Sequence, residues 1–214
     1  MHSRVTVIAC PNRLPRIEFD GGLAARRTGP DRVHLVSAAA TPLGGDVISV
    51  RLIVEAGARL TLRSAAATVV LPGAASLSSS ADWQIEVAGV LDVDLEPTIV
   101  AADERHACLT ALHLYDDASV RLRERVQIGR TGERQGHWSG SLRADRDYRP
   151  LLRHRMELGA GSLADDALYA PRATISEFNY PALCPTETAD PRWTVLALAG
   201  GGTLSTRQDE LLGT

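Results

Sequence analysis

Apolar and polar residues alternate with a period of two through much of this chain, and small-residue turns interrupt them at near-regular intervals. Residues 47–55 alternate imperfectly, and Ala56-Gly57-Ala58 then leads into Arg59-Leu60-Thr61-Leu62-Arg63. Residues 83–87 pass through Ala88-Gly89 into residues 90–95, and residues 112–115 pass through Asp116-Asp117-Ala118 into residues 120–123. A period of two places successive side chains on opposite faces of an extended strand, so each unit reads as strand, tight turn, strand. That is the grammar of hairpins or of a β-solenoid. The turns near Gly57, Gly89 and Asp117 lie 32 and 28 residues apart, the spacing of a loosely repeated coil.

Helical signals are thin. Residues 104–112 would allow a turn or two of helix, although a strand fits as well, and residues 207–212 read as a short C-terminal helix. Residues 76–81 are a small polar loop. Residues 181–192 carry three prolines, which predicts irregular backbone. No linker divides the chain, so one all-β domain over residues 1–214 is expected.

Only 4% of residues are aromatic, so the core must come mostly from Ala, Val, Leu and Ile. All 23 basic residues are Arg, which favours planar, bidentate pairing with carboxylates. A formal net charge of −3 gives no electrostatic footprint for nucleic acid. The charge is unevenly spread, with seven acids and no Arg in residues 82–104 and ten Arg against four acids in residues 121–155. Opposed faces that pair internally or meet differently charged partners are the expectation. Three cysteines (Cys10, Cys108, Cys184), an odd and sparse count, argue against a disulfide framework, and a reducing cytoplasm is the simpler setting. The N-terminal apolar run is too short for a signal peptide, and no stretch reaches the length of a membrane span.

Three short segments stand at the edges of the alternating sequence: Pro42-Leu43-Gly44-Gly45-Asp46, Leu95-Glu96-Pro97-Thr98-Ile99-Val100, and Gly129-Arg130-Thr131-Gly132-Glu133. In the first, two glycines permit close backbone approach and Asp46 can cap the turn; an ordinary turn explains it. A phosphate loop is excluded by the missing third glycine and the missing Lys-Ser/Thr. Asp92, Asp94 and Glu96 line one face of a strand, with Leu91, Val93 and Leu95 on the other. Such a row would hold a divalent ion weakly, or would face Arg121, Arg123 and Arg125 in an ion-pair ladder. Arg130 and Glu133 sit beside glycines in a turn that would serve as a partner-binding knuckle or as plain turn chemistry. His106 and Cys108 share a face in an extended segment and, with His113, form the best metal-like group, although His-x-Cys-x4-His matches no established ligand spacing. Cys184 before Pro185 is a similarly weak candidate. The sequence has no Gly-x-Ser-x-Gly and no His-Glu-x-x-His, and the adjacent Asp165-Asp166 make a poor acid/base pair, so no catalytic residue is assigned.

Taken in order and at these intervals, the three segments resemble the urease accessory protein D family, also called urease accessory protein H in some systems. The likeness covers residues 32–158, and the chain reads as short for that family at both termini. Its approach to the first turn, Ala40-Thr41-Pro42-Leu43, departs from the family's Pro-Gly-Gly. The resemblance implies a mainly β, β-helix-like stack of short antiparallel strands and hairpins with one or two minor helices. It also implies a cytoplasmic, non-catalytic scaffold or chaperone for metallocentre assembly. Such a protein would bind accessory protein F directly, the GTPase accessory protein G through the complex, and apo-urease. No cofactor would be tightly bound, and nickel would be transient cargo. Gly44, Gly45, Asp46, Asp92, Asp94, Glu96, Arg130 and Glu133 are then the candidate ion-path or interface residues, with His106 and Cys108 as weak metal candidates.

The alternative from another class is a β-solenoid or barrel that binds a small ligand or carbohydrate. It needs a pocket lined by aromatics, which nine aromatic residues spread over the chain make harder and which Trp83, Trp138 and Trp193 gathered in one cleft would supply. An enzyme with its site dispersed over the sheet would require a buried carboxylate or a histidine pair in a cavity.

Overall fold

A computed structural model describes residues 1–115, 117–133, 135–163, 165, 170–181 and 190–212. It is all-β, and the described residues contain no helix. Among the described residues no helix is therefore long and apolar enough to cross a membrane.

The chain opens with β1 (His2–Ala9) and β2 (Arg16–Asp20), then β3 (Leu23–Arg27) and β4 (Arg32–Ser37). Arched units follow: β5 (Val47–Val54), β6 (Arg59–Ser64) and β7 (Thr68–Val70), then β8 (Ser78–Val87), β9 (Val90–Asp94) and β10 (Thr98–Val100). The next arch joins β11 (Arg105–Leu114) to β12 (Ser119–Ile128), and β13 (His137–Arg146) and β14 (Arg149–Gly159) form a hairpin. The chain ends with β15 (Ala173–Tyr180), β16 (Trp193–Ala197) and β17 (Thr203–Asp209).

In each arch the two strands flanking the tight turn lie in different sheets. The first sheet runs β14-β13-β11-β8-β5-β1-β2 and the second β16-β17-β15-β12-β9-β6-β4-β3. Successive coils stack in parallel: β5 on β8, β8 on β11 and β11 on β13 in the first sheet, β4 on β6, β6 on β9 and β9 on β12 in the second. A short third face pairs β7 with β10 and β10 with the end of β12, again in parallel. Antiparallel pairs close the stack at its ends, β1 with β2 and β3 with β4 at one, β13 with β14 and β15 with β17 and β17 with β16 at the other. The expected solenoid-like stack is thus present, with parallel pairing in its middle and hairpins at its ends.

Of the two segments that allowed a helix, 104–112 takes the strand alternative, with residues 105–112 in β11, where the even-numbered residues face inward and the odd ones outward, and residues 207–209 of the expected C-terminal helix complete β17. The segment 76–81, expected as a loop, enters β8 with Ser79 and Ala81 buried. Residues 182–189, including Cys184, lie outside the described residues, as does Asp166.

The core is a set of side-chain ladders. Val7, Leu52, Ile85, Leu112, Ala144 and Leu152 are register partners across the first sheet, and all are buried. Leu62, Val93 and the half-buried Leu122 continue to Phe178 and Leu204 across the second. Between the sheets these rows merge into one apolar cluster, and a smaller one around Trp138, Ile128 and Leu158 sits at the third face. Each buried Leu, Ile, Val or Phe contributes about 1.5–3 kcal/mol. That is how a chain with nine aromatic residues holds together.

Candidate functional site

Two of the three marked segments lie at solenoid corners. Gly44 packs so closely on the neighbouring coil that an added Cβ would stand 1.8 Å from the Ser76 carbonyl oxygen, and Gly45 has φ +93°. Asp46 then locks the turn. Its Oδ2 accepts from Thr41 Oγ1 at 2.8 Å and from the Leu43 N–H at 2.9 Å, while Oδ1 takes the Met1 ammonium at 2.5 Å. Burial raises the Asp46 pKa, but these donors outweigh it and hold the carboxyl below its ordinary value.

Glu133 closes the corresponding turn after β12. It accepts from the Ala102 N–H of the preceding coil at 3.2 Å, from the Arg130 N–H at 3.1 Å and from the Arg130 guanidinium. The guanidinium lowers its pKa to about 2. Asp46 and Glu133 are therefore fully engaged in holding their own turns.

The carboxylate row lies on the outer face of the second sheet. Asp92 pairs with Arg63 at 2.6 Å and Arg121 at 3.3 Å, and Asp94 pairs with Arg125 at 2.8 Å and Arg121 at 3.5 Å. Arg121 continues to Glu177 at 3.0 Å, and Arg125 also donates to the Leu95 carbonyl. The acid-rich and Arg-rich segments thus meet across strands of one sheet. Glu96 departs from this pattern: past the end of β9 its N–H donates to Ser64 Oγ, and the residue reaches the wall of an interior cavity.

That cavity, about 350 Å³, lies between the sheets and touches residues from the first coil (Leu23, Leu35) to the last strands (Met156, Leu204). Its wall is mostly aliphatic, and the polar residues that reach it from facing strands include His106, Cys108 and Thr110 on β11, Arg123, Glu124 and Arg125 on β12 and His154 on β14. Trp83 and Trp138 also line it. The Trp138 indole lies over Gly140, where an added Cβ would come within 2.2 Å of the ring. Trp193 stands apart on β16 in the second sheet, so the three tryptophans do not share one cleft.

Burial dominates the electrostatics inside. It pushes the Glu124 carboxyl up to about 7 against a hydrogen bond from Cys108, and drives the Cys108 thiol well above its ordinary value. His106 falls to about 4 through burial alone, so it is neutral. Its Nδ1 is 2.9 Å from Ser79 Oγ, which in turn donates to Glu104 Oε1 at 2.8 Å. Glu104 is fully buried, its Oε2 has no partner, and burial raises its pKa, offset by Ser79 and reinforced by Asp46.

Of the expected metal-like group, His106 and Cys108 face the interior, while His113, of odd parity, points outward to within 4.0 Å of Asp145. Among the described residues no three His, Cys, Asp or Glu side chains converge as metal ligands. Asp165 is tied to Arg172 at 2.9 Å. Sequence reading missed Glu124, His154, Ser79 and Glu104. Parity with Leu122 and Val126 would have turned Glu124 inward, despite its place between two arginines.

Comparison with known proteins joins these features. A family model described as UreD urease accessory protein matches residues 16–180, which contain all three marked segments and most of the cavity wall. The chain is 38% identical over 190 residues to urease accessory protein UreD 1 of Saccharopolyspora erythraea, covering 86% of this chain and 74% of that one. It is 40% identical to a UreD of Parafrankia sp. (69% of this chain, 56% of the relative) and 41% identical to a UreD of Frankia casuarinae (71% and 51%). It therefore spans between about half and three quarters of the length of these relatives. A match covering most of the stacked coils, together with relatives at this identity, means that the chain belongs to the UreD urease accessory protein family.

Proposed function

We propose that this chain is a cytoplasmic, non-catalytic maturation factor that helps load nickel into apo-urease. It binds accessory protein F directly and joins the GTPase accessory protein G and apo-urease in one complex. The observation that carries the mechanical part is the cavity between the sheets, which reaches from the first coil to the last strands and sets Glu96, His106, Cys108, Glu124 and His154 along one interior space. Nickel enters this reading as cargo. Imidazole, thiol and carboxylate are donors that a borderline divalent ion exchanges among. Ligands too few to form a closed site hold such an ion briefly and release it.

In this reading the ion crosses the interior, with Glu96 as the member of the expected row that takes part. Asp92 and Asp94 tie the coils together through arginines. The Gly44-Gly45-Asp46 and Gly129–Glu133 turns, held rigid at the corners, serve as interface surfaces for the partner proteins.

The test compares two substitutions on one strand. Thr110→Phe fills the cavity from β11, and Ala111→Phe places the same bulk on the outer face. With proteins F and G and apo-urease co-expressed, both variants should enter the complex. Urease from the Thr110→Phe cells should lack nickel, and urease from the Ala111→Phe cells should contain it. Equal loading with both variants would place the route outside this cavity.

A dispersed enzyme site is the second reading, favoured by the buried Glu124 carboxyl and the two cavity histidines. Turnover of any substrate by the chain alone, lost in Glu124→Gln, would support it.

A further inference from the structure

The proton count at Ser79 fixes the state of a cavity residue. A serine hydroxyl has one hydrogen, and here it goes to Glu104 Oε1 at 2.8 Å. The 2.9 Å contact to His106 Nδ1 must then be an N–H donated by the ring to Ser79 Oγ. A neutral imidazole carries one N–H, so Nε2 is left with its lone pair. Among the described residues no group pairs with Nε2, yet it is not sealed from the interior space, and His106 lines the cavity.

Glu104 is the second observation. A fully buried carboxylate with one oxygen unpartnered is costly, and stability alone does not account for it. Acting through Ser79 it does what an outer-shell carboxylate does for a ligating histidine: it fixes the tautomer and raises the basicity of the free nitrogen. Ser79 and Trp138 are the register partners of His106 on the neighbouring strands, Cys108 follows two residues along on the same face of β11, and no further nitrogen or charged oxygen among the described residues competes for Ser79.

We propose that Glu104 and Ser79 are positioning residues that hold His106 as its Nδ1–H tautomer and offer Nε2 to a borderline divalent cation in the cavity. This rests on the reading above that a metal ion crosses the chain. His106 is a single-nitrogen stop, in keeping with the absence of three converging ligands among the described residues.

The experiment is nitrogen-15 NMR of the histidine rings in the full chain, first without metal and then with Ni²⁺ alone. His106 should appear as the Nδ1–H form, and paramagnetic Ni²⁺ should broaden its ring signals before those of the exposed histidines. Ser79→Ala should mix the tautomers and weaken Ni²⁺ binding at this ring about 10-fold, and Ser79→Thr should restore both. Glu104→Ala should free the Ser79 proton for Nδ1 and shift the ring to the Nε2–H form. An Nε2–H ring in the wild-type chain would overturn the proposal, as would Ni²⁺ broadening of His106 that Ser79→Ala leaves unchanged. Neither readout needs urease, so loading of urease without this chain would sink the maturation reading alone.

Discussion

Leu112 and Leu109 belong to the same strand and differ only in parity, which makes them a direct test of how the coils stack. Leu112 is fully buried between Ile85 and Ala144 in the first-sheet ladder, whereas Leu109 is 51% exposed on the outer face. Leu112→Ala removes three carbons from the core, about 2.4 kcal/mol at ~0.8 kcal/mol each. Strand spacing fixed at roughly 4.8 Å by the backbone ladders on both sides leaves the site little room to collapse. The residual cavity then raises the cost to about 3–5 kcal/mol. Leu109→Ala should stay within about 0.5 kcal/mol. Urea unfolding of the two variants measures this as a shift in midpoint at constant slope. If Leu109→Ala cost as much as Leu112→Ala, the inward and outward faces of β11 would be misassigned, and His106 and Cys108 would leave the interior with them.

Other consequences are as specific. Gly44→Ala drives a Cβ into the Ser76 carbonyl and should lower the melting temperature sharply, whereas Gly132→Ala meets no neighbouring atom and bears only the cost of its positive φ. In a double-mutant cycle, Asp94→Asn with Arg125→Gln should show a coupling of about 0.5–1 kcal/mol that shrinks with added salt. The folded-state pKa of Glu124 is raised to about 7, so its contribution to stability is present in acid and lost as pH rises from about 5 through 7; Glu124→Gln should flatten the pH profile of stability there. Glu133 has the opposite sign, lowered to about 2, and its contribution should disappear only as pH falls from about 4 towards 2; Glu133→Gln should remove that acid limb.

The period-two pattern made the strands legible. It could not tell a hairpin from an arch, because both alternate in the same way up to a glycine turn. What decides between them is that Leu52, Ile85 and Leu112 find one another in parallel register, about thirty residues apart, a long-range fact. Residues 104–112 fitted a helical turn or a strand, and the strand parity of His106, Cys108, Thr110 and Leu112 is the one the structure uses. The serine run before Trp83 hid a strand, since Ser79 is buried only because Glu104 and His106 satisfy its hydroxyl. The corner turns were readable from their glycines, and both partners of the acid–arginine ladder were named from sequence. The cavity was not readable, because it is bounded by residues from almost every coil and its buried acid, Glu124, stands in an arginine-rich run.

The most direct test of the account is to purify the tagged chain from cells that also make accessory proteins F and G and apo-urease, and to assay nickel in the urease recovered with and without it. The account predicts a stable complex whose urease contains nickel only when this chain is present. No association, with urease loaded equally in both cases, would contradict it.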